Sequence, residues 1–279
     1  MYELQKIETL DTLKSNDYLF NPELWKDDTI YNFNGNPVPR VSRIFDTCIG
    51  TKGLMNWASR VGYSKMNYIR NLATTVGSIV HSKIEEYLKS GTEKEVNYSD
   101  YNLSLDGIRH VENAFENFKL WKDNLENTGN KIDRIIGLEV PVTCPWYGGT
   151  IDCIMTINGA NYVIDFKTSK QISEQYIMQV CAYTWMINNG YCNLIDRIDG
   201  VGILRFDKST VGTFEEYFLN FHIPYQNEYL QRYTATFFSL LQSFYHLTYI
   251  RDLFNSEDNS KYSYAQIYDE YLLIEAKEN

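Results

Sequence analysis

Residues 149–167 read GTIDCIMTINGANYVIDFK, and this stretch decides how the chain folds. Its centre, Asn158-Gly159, is the preferred dipeptide of a two-residue type I′ hairpin turn, and apolar and β-branched residues alternate on both sides of it. Counting outward from such a turn places Asp152 opposite Asp165 on the neighbouring strand. The sequence therefore predicts an antiparallel hairpin that carries two facing carboxylates.

The two facing carboxylates need a counter-charge. Directly opposed side chains of an antiparallel pair have Cβ atoms about 4.5–5.5 Å apart, and two anions at that separation destabilise a hairpin. Lys167 lies two residues after Asp165 and so shares its face of the strand. A divalent cation held by Asp152 and Asp165, with Lys167 beside it, is the layout of a metal-dependent phosphodiesterase. The plainer alternative is a pair of aspartates on a solvent-exposed face, and a three-residue loop would break their alignment.

The composition is that of an ordinary globular chain: 279 residues, 44% of them apolar and 22% charged. Aromatic residues are plentiful, with 23 Tyr, 14 Phe and 5 Trp, so that both a core and a binding groove can be rich in rings. The net charge of −10 argues against a general nucleic-acid coat protein. It leaves open a nucleic-acid enzyme whose positive groove is local and whose acidic site is offset by bound metal.

The chain shows no signal for membranes or disulfides. No apolar run approaches the ~20 residues that span a bilayer, and the N-terminal sequence MYELQKIETL has no signal-peptide core, so we expect a cytoplasmic protein without a membrane partner. The cysteines contain no CxxC pair and indicate reduced thiols rather than a disulfide framework or a zinc site. They are Cys48, Cys144, Cys153, Cys181 and Cys192.

The order of predicted elements indicates an α/β fold, with a central mixed β-sheet flanked by helices. We divide the chain into an N-terminal extension (1–40) and a single domain (41–279), whose core covers about 73–222 and whose C-terminal part, about 223–279, is helical. Strands are predicted at about 132–142, 149–157, 161–167, 200–206 and 213–221. Helices are predicted after Pro39, at 65–75 with Ser64 as N-cap, at about 79–88 after an interruption at Gly77, and at about 106–126, 174–189, 225–247 and 262–276.

Several motifs occur in the order found in one nuclease superfamily. They are Glu139 in GLEVPV, Asp152 in GTIDCI, Asp165-Phe166-Lys167 in VIDFKTS and Gln179 to Tyr183 in QVCAY. Together they resemble the PD-(D/E)XK nucleases, and specifically the RecB-like exonuclease branch. Upstream, PVPRVSRIFD and the segment from Ala73 to Leu88 are similar to the N-terminal part of mitochondrial genome maintenance exonucleases and related phage exonucleases. The resemblance covers about half of the chain and implies a restriction-endonuclease-like core with helical N- and C-terminal additions.

The resemblance implies a metal centre for Mg²⁺ or Mn²⁺. Its ligands would be His81, Asp152, Asp165 and the main-chain carbonyl of Phe166, with Glu139 nearby as a second-metal or water-mediated ligand. An imidazole makes such a site more hospitable to Mn²⁺ than an all-oxygen site. Read without the resemblance, a single helical histidine is more often a packed or surface residue, and a glutamate before a proline is an exposed strand residue.

The resemblance also implies the catalytic group and the residues that place the substrate. Lys167 would be the catalytic lysine, and Gln179 and Tyr183 would help to place DNA or that lysine. Gln179 and Tyr183 are four residues apart and share one helix face. Their plainer interpretation is two polar tips at the edge of a helix packed on the sheet.

Two further groups are candidates for DNA contact. Trp57 and Arg60 begin an aromatic and basic stretch before the His81 helix, where bases could stack and phosphates be neutralised; an ordinary helix surface is the alternative. Thr168, Ser169 and Lys170 follow the catalytic strand, where hydroxyls and a cation could hold a phosphate.

These observations predict a metal-dependent DNA exonuclease in the cytoplasm. The resemblance alone implies that it acts on single strands or DNA ends, in replication, repair or recombination, and that it is similar to phage enzymes. One alternative is a structure-specific endonuclease that cuts flaps or branches with the same residues. Another is a module that binds DNA, or a replication or recombination partner, without cutting. Some members of the family hold an iron–sulfur cluster with cysteines near the C-terminus; no cysteine follows Cys192, so we expect no cluster here.

Overall fold

The structure is a computed structural model that describes residues 30–49 and 59–255. Its helices and strands alternate in a pattern typical of α/β proteins. In chain order they are β1 (Ile30–Phe33), β2 (Asn36–Pro39), α1 (Val41–Cys48), α2 (Tyr63–Ser90), α3 (Leu105–Asn127), β3 (Ile132–Thr143), β4 (Gly148–Ile157), β5 (Ala160–Lys167), α4 (Glu174–Asn188), β6 (Gly200–Phe206), β7 (Phe214–Asn220) and α5 (Pro224–Asn255). A short 3₁₀ helix, Tyr98–Tyr101, lies between α2 and α3.

A mixed sheet of five strands, in the order β3-β4-β5-β6-β7, forms the centre of the molecule. The pairs β3–β4, β4–β5 and β6–β7 are antiparallel, whereas β5 and β6 are parallel. A parallel pair needs a crossover connection, and α4 provides it. The predicted α/β fold with a central mixed sheet flanked by helices is confirmed, and it is consistent with a restriction-endonuclease-like core.

The hairpin of β4 and β5 has the predicted turn and register. Asn158 and Gly159 have φ values of +49° and +79°, as a type I′ turn requires at its two central residues. Backbone pairing runs without a shift from the turn to Cys153 opposite Ile164. Asp152 follows this last pair, and its side chain replaces the backbone acceptor there, because its Oδ2 accepts a hydrogen bond from the Phe166 N–H at 2.8 Å. The backbone pairing of β4 with β5 thus ends at the site, where a side-chain contact takes its place.

Helices cover both faces of the sheet and create two cores. On one face α2 and α3 pack against β4, β5 and β6, and the fully buried Trp121, Phe118 and Phe206 lie in this core. On the other face α1, α4 and α5 build a second core around Tyr147 and Phe237, whose ring centroids are 4.9 Å apart. Since α2 and α4 lie on opposite faces, they can deliver side chains to the end of the β4–β5 hairpin from two sides.

Helix α2 is continuous over 28 residues, and the predicted interruption at Gly77 is wrong. A glycine inside a helix costs about 1 kcal/mol relative to alanine, whereas fully burying one valine is worth about 1.5–3 kcal/mol. Val76 and Val80, on either side of Gly77, are both fully buried, and this packing outweighs the propensity of a single residue. The helix also begins one residue before Ser64, with Gly62 at the N-cap position. His81 is therefore carried on a rigid element.

The predicted ends of α3 and α4 agree with the structure to within one residue. Ser104 caps α3, and its side chain accepts a hydrogen bond from the Gly107 N–H at 3.2 Å. Gly129 and Gly190, with φ values of +81° and +80°, stop α3 and α4. Helix α5 extends to Asn255, beyond its predicted end at 247. The helix predicted at 262–276 lies outside the described residues.

Residues 30–39 form a hairpin that the sequence did not predict as strands. Its turn, Asn34-Gly35, has φ values of +51° and +89°. The Tyr31 hydroxyl lies 2.8 Å from Thr150 Oγ1, which ties the hairpin to β4. This part of the N-terminal extension therefore packs against the sheet. Within residues 30–49 and 59–255, none of the helices has the length and the apolar character needed to cross a bilayer.

Candidate metal centre

A buried ion pair lies at the end of β5. Asp165 is 3% exposed, and its Oδ1 and Oδ2 lie 2.8 Å and 2.6 Å from Lys167 Nζ. The Oδ2 atom has no hydrogen bond of its own within the described part of the chain. A buried carboxylate oxygen that is satisfied only by one ammonium group retains the capacity to bind a second cation.

Burial dominates the electrostatics of this pair. Burial raises the pKa of Asp165 to about 6. The charge of Lys167 opposes this shift, and the charge of Asp152 adds to it. Burial acts to lower the pKa of Lys167, but Asp165 and Asp152 outweigh it, so the net shift of the lysine is upward. Lys167 is therefore a firmly protonated cation in the metal-free protein, suited to binding an anionic group.

Three further ligand-type side chains converge beside the ion pair. One donor atom from each of His81, Glu139 and Asp152 lies within 4.8 Å of the others. His81 Nε2 is 2.8 Å from the Phe166 carbonyl oxygen, and its Nδ1 is 3.6 Å from Asp152 Oδ2. The cluster thus draws on α2, β3 and β4. The structure brings Glu139 into this tight group, whereas Asp165, which the family resemblance implied as a ligand of the same metal, is not one of its members.

These donors fit a hard divalent cation. His81 Nε2 and the Phe166 carbonyl oxygen form a hydrogen bond of 2.8 Å, and both atoms are of the kinds that could hold a divalent cation. Carboxylates and a carbonyl suit Mg²⁺, and the imidazole extends the choice to Mn²⁺. Within the described residues, His81, Glu139, Asp152 and Phe166 are the groups that would hold the cation.

Glu139 has an unusual backbone. Its φ of +48° lies in the left-handed region, which costs a residue other than glycine roughly 1–2 kcal/mol. Partial desolvation, followed by repulsion from Asp152, raises the pKa of its carboxyl group. Its pairing position is opposite Asp152, between the pairs Leu138–Cys153 and Val140–Ile151. Strain and unfavourable charge at one residue are typical of a site at which function opposes stability.

This strain leads to a test at position 139. We expect Glu139→Gly to be more stable than Glu139→Ala by about 1 kcal/mol, because glycine adopts positive φ without strain. Both variants lack the carboxylate, so their difference isolates the backbone. Chemical denaturation measures it, with Arg134→Gly and Arg134→Ala on the same strand as the matched pair, where alanine is expected to be the more stable. An alanine variant more stable than the glycine variant at both positions would contradict backbone strain at Glu139.

Gln179 and Tyr183 approach the site from α4. Gln179 Nε2 donates a hydrogen bond to the Tyr183 hydroxyl at 3.1 Å. Tyr183 is buried, and burial, together with the charges of Asp165 and Asp152, raises the pKa of its hydroxyl. Gly149 makes room for this ring, because a Cβ atom at that position would overlap it. The predicted pair therefore lies beside the aspartates on the α4 side.

Tyr176 is a site residue that the sequence argument missed. The Lys167 ammonium lies 4.7 Å from the centroid of its ring, in the geometry of a cation–π contact. Tyr176 precedes Gln179 by three residues and Tyr183 by seven, so all three share one face of α4. That spacing was the signal that could have identified it.

The loop after β5 begins with two half-buried residues, Thr168 and Ser169, and continues with the exposed Lys170. Thr168 lies against α2, with its Oγ1 3.7 Å from where a Cβ atom would stand on Gly77. The Ser169 hydroxyl donates to the Gln171 carbonyl at 2.9 Å and so shapes the loop. Lys170 is exposed. Of these three predicted phosphate contacts, Lys170 is the one whose charged end faces solvent.

The described member of the predicted aromatic and basic platform, Arg60, lies before the start of α2, far along the chain from His81. Trp57 falls outside the described residues. Arg60 is exposed and precedes α2, whose first residue, Tyr63, is about 27 Å from His81 along the helix axis at 1.5 Å per residue. The structure therefore does not join Arg60 to the cluster, and its role in binding DNA stays a prediction.

The fold and the site together define an α/β protein with a five-stranded mixed sheet, and with a His/Glu/Asp cluster beside a buried Asp–Lys pair. No family model and no curated protein matches the sequence. Among solved structures, the crystal structure of SSO0001 is similar at 17% sequence identity, over 59% of this chain and 85% of that chain, with a TM-score of 0.24. A similarity this low supports no inference about function.

Proposed function

We propose that the chain is a metal-dependent phosphodiester hydrolase acting on DNA. The observation that carries the proposal is the convergence of His81, Glu139 and Asp152 with the Asp165–Lys167 pair at one end of the β4–β5 hairpin. A structural role would not favour this arrangement, since like charges on neighbouring strands destabilise a sheet. A divalent cation held there would neutralise charge on the phosphoryl group and stabilise the leaving oxygen.

Lys167 is the residue that acts on the substrate. Its ammonium is held between the Asp165 carboxylate, at 2.6 Å, and the Tyr176 ring, at 4.7 Å. Both contacts orient the Nζ atom without removing its charge, so it can donate to a phosphate oxygen or hold the attacking water. Asp165 positions the lysine, and both of its carboxylate oxygens lie within 2.8 Å of the ammonium.

The remaining residues place the substrate and exclude water. The Gln179–Tyr183 pair forms the wall on the α4 side, and the Tyr183 hydroxyl is positioned by an amide that can also meet a phosphate or a base. The preference for single strands or DNA ends rests on the resemblance to RecB-like exonucleases. On the same basis the enzyme would work in the cytoplasm, with a replication or recombination protein as a further partner.

The test is a cleavage assay on 5′-labelled single-stranded DNA, blunt double-stranded DNA, closed circular single-stranded DNA and a matched RNA, with Mg²⁺, Mn²⁺ or EDTA. We expect progressive shortening of linear single-stranded DNA with Mg²⁺ or Mn²⁺ and no cleavage in EDTA. Closed circles are expected to resist. A matched reaction with Ca²⁺ checks that the dependence is on a cation of small radius.

Each outcome separates the candidates. Absence of cleavage with every metal, on all four substrates, would refute the hydrolase. Cutting of closed circles would refute exonucleolytic action and favour the endonuclease. DNA binding without cleavage would favour a non-cleaving module.

A further inference from the structure

Two lysines occupy equivalent positions where the parallel strands β5 and β6 leave the sheet. Their pairing ends with Lys167 opposite Arg205. Lys170 lies three residues beyond Lys167, and Lys208 lies three residues beyond Arg205. Since adjacent strands are about 4.8 Å apart and run in one direction, both lysines are carried to the same edge of the sheet.

One guanidinium group links the two loops that carry these lysines. Arg205 is 2% exposed, and its Nη1 donates to the Ser169 carbonyl and to Asp207 Oδ2, each at 3.2 Å. Ser169 directly precedes Lys170, and Asp207 directly precedes Lys208. The separation of the lysines is therefore fixed by a buried side chain and not by chance at the surface.

Helix α3 holds the second loop from the other side. The fully buried Asn117 amide donates to the carbonyls of Asp207 and Thr210 at 2.7 Å and 2.8 Å. Its oxygen accepts from the Gly212 N–H at 2.6 Å. Asn113, one turn earlier, donates to the Lys208 carbonyl at 3.2 Å. Hydrogen bonds from two asparagines of α3 therefore fix the position of this turn.

The carboxylates near these loops are engaged by arginines. Asp207 and Glu215 both contact Arg205, and Asp106 contacts Arg109. Within residues 30–49 and 59–255, neither Lys170 nor Lys208 forms an ion pair within 4.0 Å. Two ammonium groups on adjacent loops thus make no direct contact with a carboxylate, in a chain whose net charge is −10.

The electrostatics show that the positive charges act on one another. Burial lowers the pKa of Lys208; the nearby Asp207 opposes this effect, and Lys170 adds a smaller lowering. Burial, followed by Lys208 and Arg109, lowers the pKa of His110 on α3. Holding like charges together costs free energy unless an anion binds between them.

We propose that Lys170 and Lys208, with His110 beside them, form a phosphate-binding clamp for the nucleic-acid strand next to the catalytic site. This inference rests on the proposed function and adds the path of the substrate. Three residues span at most about 10 Å, and a strand carries one phosphate per about 3.4 Å of helix axis. The clamp therefore holds a phosphate within about three positions of the one at Lys167. It binds the backbone and carries no base specificity.

The test measures binding of a fluorescent, hydrolysis-resistant phosphorothioate single strand by anisotropy, with Ca²⁺ present in place of a catalytic cation, across a salt series. Lys170→Ala/Lys208→Ala is expected to bind about tenfold more weakly at 0.1 M salt, and the slope of log K against log[salt] is expected to fall by about 1.4, for two lost phosphate contacts. Lys170→Arg/Lys208→Arg retains the charges and is expected to bind like the wild type. The matched control is Lys122→Ala/Lys131→Ala, which removes one charge on α3 and one beside the β4–β5 turn and is expected to change neither quantity.

The outcomes separate the clamp from the enzyme. Unchanged affinity and salt slope in the alanine variant, or an arginine variant as weak as the alanine variant, would overturn the clamp, while metal-dependent cleavage by the wild type would leave the proposed function standing. A wild type that binds the strand through these lysines but never cleaves would support the clamp and refute the hydrolase. A wild type that does not bind the strand would refute the clamp, and the cleavage assay on the four substrates would still decide the hydrolase.

Discussion

Lys167→Met is expected to lower the rate of DNA hydrolysis by about 10³-fold while the protein stays folded, the usual effect of removing one group that stabilises charge in a transition state. Methionine keeps the unbranched stem that packs near Tyr176 but cannot donate to a phosphate or hold a water. The buried Asp165 loses its counter-charge, and its pKa, already about 6, rises further. Asp165 then becomes protonated, so the fold avoids an uncompensated buried charge.

Asp165→Asn is expected to reduce cleavage as strongly, since it removes the carboxylate that positions the lysine. The matched control is Lys83→Met. Lys83 is also a buried lysine, 4% exposed, and it lies 2.9 Å from Glu112 in an ion pair between α2 and α3. The control should retain cleavage within about threefold despite a similar change in buried charge. Initial rates on labelled DNA and thermal unfolding are measured for all three variants, and a folded Lys167→Met that cleaves within tenfold of the wild type would refute the assigned role.

Asp152→Asn is expected to have opposite effects on metal binding and on the stability of the metal-free protein. Asp152 raises the pKa of both Glu139 and Asp165, so its charge opposes two neighbours and is balanced by one lysine. Asparagine removes the repulsion but can still accept the Phe166 N–H. We expect the metal-free variant to be about 0.5–1 kcal/mol more stable, a rise in Tm of a few degrees.

The metal response of this variant should be lost. A cation at 100 times its Kd stabilises the folded state by about 2.7 kcal/mol, and the wild type is expected to show this shift with Mn²⁺. Thermal unfolding with and without Mn²⁺ measures both effects. Asp133→Asn is the matched control, because Asp133 accepts the Gly159 N–H at 2.7 Å at the far end of the same hairpin. The control should keep the Mn²⁺ shift, and an Asp152→Asn protein that keeps it as well would show that the cation does not bind at this cluster.

The parts of the fold that local chemistry determines could be predicted from the sequence. The Asn158-Gly159 turn has one favoured geometry, and once the turn was assigned, the register of β4 and β5 followed to Cys153–Ile164. The glycine stops at Gly129 and Gly190 were equally local. The same reasoning placed Asp165 and Lys167 side by side on one strand, and the structure shows them in contact.

Features that depend on distant packing could not be predicted. Gly77 was expected to break α2, but the burial of its neighbours against the sheet decides the local structure. Nothing in a single sequence shows that Glu139 has positive φ, since glutamate has no preference for it. The pairing of Lys170 with Lys208 depends on the parallel register of β5 and β6, which are joined through a helix and have no turn that fixes their alignment.

The contacts of the hairpin also bear on when the site forms during folding. Asp152, Asp165 and Lys167 belong to one local β-hairpin, a unit that forms in about 1–10 μs, whereas the contact of His81 with Phe166 joins residues 85 positions apart in the chain. Contacts of such sequence separation form late, because the entropy of closing the intervening loop has to be overcome first. We therefore expect the acidic half of the site to assemble early and the cation to bind only after α2 has docked. On the proposed function, a newly made or partly unfolded chain would lack hydrolytic activity until α2 has docked.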